Sequence, residues 1–281
     1  MKMSLQAFLV SSALLIISGR GEAGTDPVSP ASGTAGEGTF YLPDFRPWWS
    51  GDSIRDIHFD VGRSNDRLVS CDDWTAIDPT PPVGIPVLTF TLSSPNFGQW
   101  DLRLRRQMTS QGIEMYQTVS YMDPSGVCSA IETDVPIAII PNDPIQNGRW
   151  LPLAKFALYD IAEDGGPGNR LSCQIKRWCC LGSSPTCNTR GPCPRLPTQS
   201  DNIEAGARDV YPPHWTDQFL PVDGIPTGDY WFEDEINPGG IMWESDYGNN
   251  SMFLMIHIDQ EARTVEILVP PDDSFATCPA P

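Results

Sequence analysis

Histidine and basic side chains are scarce in this chain of 281 residues, and both shortages exclude functions. The three histidines, His58, His214 and His257, are scattered, so they predict ordinary surface or core residues rather than a clustered metal site. Lysine and arginine total 18 against 36 acidic residues, a formal net charge of −18. Nucleic acids and anionic membrane surfaces attract basic patches, so neither is expected as a partner. Extracellular or cationic proteins and Ca²⁺ fit this charge better, although acidity can also simply keep an exported protein soluble.

Long apolar segments are absent beyond the N-terminus. There, Lys2 precedes an apolar run over residues 7–17, which Ser11 and Ser12 interrupt, and the run is followed by Ser18-Gly19 and Gly21-Glu22-Ala23. The run is shorter than the roughly 20 residues that span a bilayer. We therefore interpret residues 1–23 as a secretory signal peptide, with a membrane anchor as the alternative, and expect a secreted, extracellular protein.

Sustained helical periodicity is also missing, and 28 prolines and 24 glycines would break most helices. Residues 24–38, rich in Gly, Ser, Thr and Pro, are predicted to form a disordered linker. Residues 39–281 are predicted to form one all-β domain, an antiparallel β-sandwich with long disulfide-stabilised loops, because short apolar runs alternate with turn residues. The predicted strands are 87–92, 100–104, 115–122, 135–140, 156–161, 230–236, 252–258 and 264–269.

All eight cysteines lie beyond the predicted signal peptide, and export brings them into an oxidising compartment. Four disulfides are therefore expected. Five of the eight fall between Cys173 and Cys193, in a segment rich in Gly, Pro, Ser and Thr that offers little to bury. A zinc site is the alternative for this cluster, but no histidine lies within it and export favours oxidation of the thiols.

An acidic segment follows the predicted strand 230–236. Glu244, Asp246 and the pair Asn249-Asn250 bring oxygen-bearing side chains together within seven residues. This density suits Ca²⁺, which takes about six to eight oxygen ligands. A solvated acidic β-turn is the alternative. The same asparagines begin an N-glycosylation sequon, Asn249-Asn250-Ser251, so a glycan and Ca²⁺ would compete for Asn249.

The acidic segment reads Glu-Ser-Asp-Tyr-Gly-Asn-Asn over residues 244–250, and it follows the pair Asn237-Pro238. Together with four motifs upstream, in one order, it resembles the lysyl oxidase catalytic domain, whose corresponding segment is Glu-Ser-Asp-Tyr-x-Asn-Asn. Upstream, segments similar to the family's Gln-Trp-Ile/Val, Asp-x-Tyr, Phe-x-x-Tyr-Asp-Leu and Pro-Asp-Leu motifs occupy residues 218–220, 209–211, 156–161 and 43–45. The resemblance is close from about residue 150 to 258 and thin between residues 45 and 147.

The resemblance implies a copper(II) site whose ligands this chain lacks. In lysyl oxidases a His-x-His-x-His run before the Phe-x-x-Tyr-Asp strand binds copper. Its three positions correspond here to Asn147, Arg149 and Leu151, with Trp150 at the aromatic spacer. Arginine adds a permanent positive charge and leucine offers no donor atom, so copper is not expected to bind.

The family's organic cofactor, lysine tyrosylquinone, is built from a lysine and an oxidised tyrosine. Tyr211 corresponds to the tyrosine, and the motif that includes Gly168 assigns the lysine position to Arg170. A guanidinium does not deprotonate in proteins and cannot replace the amine. Lys176 lies six residues further on, but formation of the cofactor also requires the missing copper. We therefore expect no such cofactor and interpret Tyr211 as a packed aromatic residue.

Two further features are implied by the resemblance. One is a local disulfide between Cys173 and Cys179, which would leave Cys180 to pair with Cys187 or Cys193. Long-range links would then come from the remaining cysteines, Cys71, Cys128 and Cys278. The other is a calcium site with ligands from both ends of the domain, namely Asp44, the backbone of Phe45, Glu244, Asp246, Asn249 and Asn250.

Three functions remain open on the sequence alone. The first is a catalytically inactive lysyl-oxidase-like protein with an extracellular structural or interaction role. The second is a copper-dependent amine oxidase with a rebuilt metal site, which the histidine count opposes. The third is an immunoglobulin-like adhesion or binding module. Some modules of this class end in a similar acidic turn. The Asp-x-Tyr and Phe-x-x-Tyr-Asp motifs favour the lysyl-oxidase-like protein over the adhesion module.

Overall fold

The computed structural model describes residues 38–48, 57–110, 112–141, 151–177, 184–185, 192–193 and 202–272. The predicted signal peptide, nearly all of the predicted linker and the positions Asn147 and Arg149 lie outside these residues. The described residues contain no helix, and so none that could span a membrane. The prediction of an all-β fold is confirmed.

Every strand pairing in the described residues is antiparallel. The strands are β1 (Thr39–Tyr41), β2 (His58–Val61), β3 (Pro86–Thr89), β4 (Leu92–Pro95), β5 (Leu102–Met108), β6 (Gly112–Met122), β7 (Cys128–Glu132), β8 (Ala138–Pro141), β9 (Pro152–Ile161), β10 (Pro167–Arg177), β11 (Ser184–Pro185), β12 (Asn202–Ile203), β13 (Ala207–Tyr211), β14 (Phe219–Pro221), β15 (Gly228–Ile236), β16 (Ser251–Asp259) and β17 (Thr264–Val269).

Four sheets are formed, and the largest regular one has the strand order β10-β9-β15-β16-β17. A three-stranded sheet, β14-β3-β2, packs against its inner face. A second three-stranded sheet, β11-β13-β4, and a six-stranded sheet built around β6 complete the fold. The second half of the chain therefore supplies the whole five-stranded sheet, whereas β2 and β3 come from the first half.

Alternation of apolar and polar residues fixes which face of the five-stranded sheet is buried. Along β16 every second side chain from Met252 to Ile258 is buried, as expected for a strand with one face on the core. The ring of Phe90, next to β3, packs edge-on against Phe156 of β9 at 4.5 Å and Phe232 of β15 at 5.1 Å. Each fully buried phenylalanine stabilises the fold by about 1.5–3 kcal/mol.

Two disulfides join distant parts of the chain, and they correct the predicted pairing. Cys173 is bonded to Cys71, not to Cys179, and Cys193 is bonded to Cys128 rather than to Cys180. The prediction of a Cys173–Cys179 bond is wrong because Cys173 lies within β10, which continues to Arg177. Four extended residues carry the chain about 13 Å away, beyond the roughly 7 Å between Cα atoms that a disulfide can bridge. Cys179, Cys180, Cys187 and Cys278 lie outside the described residues.

Candidate functional site

The acidic segment connects β15 to β16, and Asn237 holds its first part in a tight turn. Asn237 has a φ of 52°, a left-handed conformation that asparagine tolerates better than most residues. Its side-chain Nδ2 donates to the carbonyl of Met242 at 2.8 Å, and its Oδ1 accepts from the Met242 N–H at 2.9 Å. The same Nδ2 also donates to Oε1 of Glu244. Asn237 therefore positions the carboxyl group that the sequence analysis assigned to calcium.

The start of the domain lies directly against this segment. The Ser245 N–H donates to the Pro43 carbonyl at 2.9 Å. The Phe45 N–H donates to Oε2 of Glu244 at 2.6 Å, and Asn249 Nδ2 donates to Oδ1 of Asp44 at 3.1 Å. These contacts join residues 199 to 205 positions apart in the sequence. The two ends of the domain therefore meet at this segment, and the calcium site predicted there stays a prediction.

Burial raises the pKa of both carboxyl groups that face this junction. Glu244 is 4% exposed, and desolvation raises its pKa to about 8, although the donors Asn237, Phe45 and Asn250 oppose the shift. The pKa of Asp44 is also raised, first by burial and further by the nearby charge of Asp246. The charge of Asp246 opposes ionisation of Asp44, and that of Asp44 opposes ionisation of Glu244. A bound cation would reverse that penalty.

Two side-chain oxygens at this junction have no hydrogen-bond donor among the residues that the structure describes. Oδ1 of Asn249 and Oδ1 of Asn250 are both buried and unpaired, while the amide nitrogens of the same residues face carboxyl groups. Oxygen atoms of this kind are ligands that Ca²⁺ accepts. Against this, Phe45 presents its N–H to Glu244, and within the described ranges no three Cys, His, Asp or Glu side chains are grouped so that they could hold a metal ion. The six predicted residues do lie together, but amide oxygens would have to complete the site.

Tyr211 lies at the centre of a second buried site. Its side chain is fully buried, and its ring meets that of Trp215 edge-on at 5.3 Å. The ammonium of Lys176, at the end of β10, is 4.9 Å from the ring centroid of Tyr211 and donates to the Thr216 carbonyl at 2.6 Å. The side-chain amide of Gln218 donates to the Tyr211 carbonyl at 2.6 Å. A buried cation is therefore in contact with the tyrosine that the motif singled out.

Arg170 does not take part in this site. It lies six residues before Lys176 on the same strand, about 20 Å away in extended chain, and forms an exposed ion pair with Asp72 at 2.6 Å. The residue beside Tyr211 is Lys176. The assignment of the family's lysine position to Arg170 rests on the motif alone and stays a prediction.

A buried ion pair that the sequence analysis missed holds the segment around Tyr211. Arg177 Nη2 lies 3.1 Å from Oδ2 of Asp217, and both side chains are fully buried. Oδ1 of Asp217 accepts from the Arg67 N–H at 3.1 Å, and Asp217 has a φ of 61°. The sequence does not predict this positive φ, because its only indication is that aspartate tolerates the left-handed region better than most residues. The pair fixes residues 212–218 against the end of β10.

Of the three positions that the motif comparison assigns to copper ligands, the structure describes only residue 151. Leu151 is buried among apolar side chains of the core. His58 and His214 are exposed, and His257 is half-exposed on β16, where its Nδ1 lies 2.6 Å from Asp229. None of these side chains fits the copper centre that the motif comparison implied.

Residues 148–267 match the protein-family model described as lysyl oxidase. These residues form a lysyl oxidase family domain. The match runs from just before β9 into β17, so it includes Lys176, Tyr211 and the acidic turn. Asp44 and Phe45 lie outside the matched range. No curated protein matches the chain.

The site around Tyr211 and the copper positions of the lysyl oxidase domain therefore differ in how well their residues match the family. Tyr211 and Lys176 are in contact, whereas Leu151, which the motif comparison assigns to a copper-ligand position, is buried in the apolar core. The junction at Glu244 combines residues inside the matched range with residues far upstream of it. This arrangement supports a structural role for the junction more directly than a redox role for the domain.

Proposed function

We propose that this chain is a secreted lysyl-oxidase-like protein without oxidase activity, which serves as an extracellular structural or interaction module. The observation that carries the proposal is the buried leucine at a copper-ligand position, combined with three histidines that lie elsewhere in the fold. An apolar side chain offers no donor to a metal. Two disulfides and the predicted signal peptide support export, since disulfides persist in oxidising compartments.

The purified secreted protein is expected to contain no stoichiometric copper and to release no hydrogen peroxide from primary amines. Peptide mapping should recover Tyr211 and Lys176 as unmodified, unlinked residues, because oxidation of the tyrosine requires the redox metal. Metal analysis, a peroxide assay and mass spectrometry measure these three properties. Peroxide release that depends on the amine, is abolished by a carbonyl reagent and disappears in Lys176→Met would contradict the proposal.

One observation favours the second candidate, an amine oxidase with a rebuilt metal site. Lys176 and Tyr211 are in contact in the buried site, so the two side chains that the family joins are both available. When formed, that cofactor supplies a carbonyl that reacts with amines. In the absence of copper ligands, the pair has a structural explanation, because a buried ammonium gains a cation–π contact and a hydrogen bond to Thr216. The peptide map distinguishes the two candidates.

We also propose that calcium binds at the junction of the two ends of the domain. The support comes from the crowded carboxyl groups of Asp44, Glu244 and Asp246 and from the unpaired oxygens of Asn249 and Asn250. Without a cation, amide N–H groups are the favourable neighbours of these carboxyl groups. With a cation, the amide oxygens become favourable neighbours as well. The acidic β-turn without a metal is the alternative.

Calcium is expected to raise the melting temperature, and Asp246→Ala or Asp44→Ala should abolish the shift. Binding to the folded form alone stabilises by about 2.7 kcal/mol at a hundredfold excess over the dissociation constant. An extracellular site has a dissociation constant on the order of 10⁻⁴ to 10⁻³ M, so millimolar calcium should give a smaller effect. Calorimetry or thermal melts with calcium and with chelator, at matched ionic strength, measure it.

Asp164→Ala is the matched control for this experiment. Asp164 accepts a turn N–H from Gly166 at 3.0 Å, as Asp246 does from Gly248 at 2.7 Å, but it lies in an exposed hairpin away from the junction.

Because the pKa of Glu244 is raised to about 8, protons compete with the cation for this carboxyl group. The shift in melting temperature caused by calcium should therefore grow between pH 6 and pH 8. Equal shifts of the melting temperature with magnesium or sodium would show that charge screening, not a calcium site, stabilises the fold.

The strong negative charge supports a cationic extracellular protein as the partner. The chain carries 36 acidic against 18 basic residues, and complementary charge accelerates encounter with basic proteins. The same charge opposes binding to nucleic acids and to anionic membranes.

A further inference from the structure

An acidic side chain points into the hydrophobic core from the central strand of the five-stranded sheet. In β15 the residues that face the core alternate, and Asp234 follows Phe232 and precedes Ile236 on that face. Its cross-strand neighbours are Phe156 of β9 and Met252 of β16. An aspartate therefore occupies a position where the pattern of the strand calls for an apolar residue.

The carboxyl group of Asp234 is fully buried and has no hydrogen-bond partner in the part of the chain that the structure describes. Its exposure is 0%, and neither of its oxygens meets a donor. An ionised carboxylate in such surroundings loses its hydration without compensation, whereas the neutral acid loses much less. The burial of Asp234 is therefore compatible with the protonated form and strongly opposed to the charged form.

Among the described residues, no basic group offsets this burial. The inward-facing neighbours on β9 and β16 are apolar: Ala154, Phe156, Leu158, Met252 and Leu254. The facing layer contributes the ring of Phe90, which contacts Phe156 and Phe232.

On its own strand, Asp234 is flanked by two acids that occupy the outer face. Glu233 accepts from Tyr159 at 2.7 Å and pairs with Lys155 at 3.1 Å, and Lys155 also contacts Glu235. The charges that act on Asp234 are those of Glu233 and Glu235, and both oppose its ionisation. Burial and these two carboxylates together raise its pKa well above the ordinary value.

We propose that Asp234 is a proton switch in the core, held as the neutral acid in the folded protein, so that the sandwich loosens when the pH rises enough to ionise it. The unfolded chain would release this proton near the ordinary pKa of 3.8, whereas the folded chain keeps it. The contribution to stability is therefore fully present below about pH 4 and is lost as the pH rises toward the folded pKa. This property does not depend on whether the protein oxidises amines.

The test compares wild type with Asp234→Asn, which has nearly the same shape and cannot ionise. One proton bound more by the folded state than by the unfolded state changes the unfolding equilibrium constant tenfold per pH unit. Relative to the variant, the unfolding constant of wild type should therefore rise by up to tenfold for each pH unit above about pH 4, until the pH reaches the pKa of Asp234 in the folded protein. Denaturant titrations at fixed salt and fixed calcium measure both proteins.

Two further variants keep the result interpretable. Asp234→Val places a β-branched apolar side chain in apolar surroundings, so it should fold and should exceed the stability of wild type most at pH 8 and least at pH 5. Glu266→Gln, an exposed acid on β17, is the control and should keep the pH profile of wild type. Parallel pH profiles for wild type and Asp234→Asn, or failure of Asp234→Val to fold, would overturn the proposal.

Discussion

Replacing Cys71 and Cys173 together by alanine is expected to lower the free energy of unfolding by about 4.7 kcal/mol. The bond closes a loop of 102 residues, and a crosslink of that span removes a large amount of chain entropy from the unfolded state. A domain of ordinary stability has only about 5–15 kcal/mol in total, so the variant should melt near or below the growth temperature of many hosts. Denaturant unfolding of the purified variant measures the loss of stability.

The second disulfide supplies the comparison for this experiment. Cys128–Cys193 spans 65 residues, for which the same relation gives about 4.3 kcal/mol. If entropy of the unfolded chain dominates, the two double variants should lose similar stability. A loss below about 1 kcal/mol for Cys71–Cys173 would mean that the segment around Cys71 is already held by its hydrogen bonds, such as that from the Val69 N–H to Gln174.

Asp217→Ala is expected to cost about 3–5 kcal/mol, the usual effect of removing one member of a buried ion pair. The substitution takes the carboxylate from the fully buried guanidinium of Arg177 and the acceptor from the Arg67 N–H. It also leaves alanine in the left-handed region, at φ 61°, which adds strain. Thermal unfolding and peptide-level hydrogen exchange over residues 207–221 measure the global and the local effect.

Two variants separate charge from conformation at this position. Asp217→Asn tolerates the positive φ and keeps an oxygen acceptor, so it should lose less stability than Asp217→Ala. Asp223→Ala removes an exposed aspartate from a nearby turn and should change stability by no more than about 0.5 kcal/mol. Equal stability of Asp217→Ala and Asp223→Ala would show that Arg177 is satisfied without Asp217.

The strands with one buried face could be predicted from the sequence, whereas β10 could not. In β16, alternation of Met252, Leu254, Ile256 and Ile258 with more exposed residues marks the strand directly. In β10, the core-facing positions are polar residues such as Gln174 and Lys176, whose hydrogen bonds replace apolar contacts. The hydrophobicity pattern of a strand does not show which hydrogen-bond partners distant loops supply to it.

The candidate sites also differ in how far the sequence predicts them. The acidic turn was predictable because its carboxyl and amide residues lie within seven positions of one another. The contact between Lys176 and Tyr211 required the fold, since the motif pointed to Arg170 instead. The pairing of Cys173 with Cys71 also depends on a loop lying beside β10, which spacing along the chain does not reveal. Asp234 was visible in principle, because it continues the alternation of Phe232 and Ile236.

The junction between the two ends of the domain also sets an order of events during synthesis. The hydrogen bond from the Phe45 N–H to Glu244 cannot form until Glu244 has been synthesised, 199 residues later. At about 5–20 residues per second, the ribosome needs on the order of 10–40 s to make that stretch. Until then, the first strands lack both this contact and the five-stranded sheet that covers them, because every strand of that sheet begins after residue 151. The nascent first half therefore exposes apolar surface for many seconds, and chaperones have that interval in which to bind it.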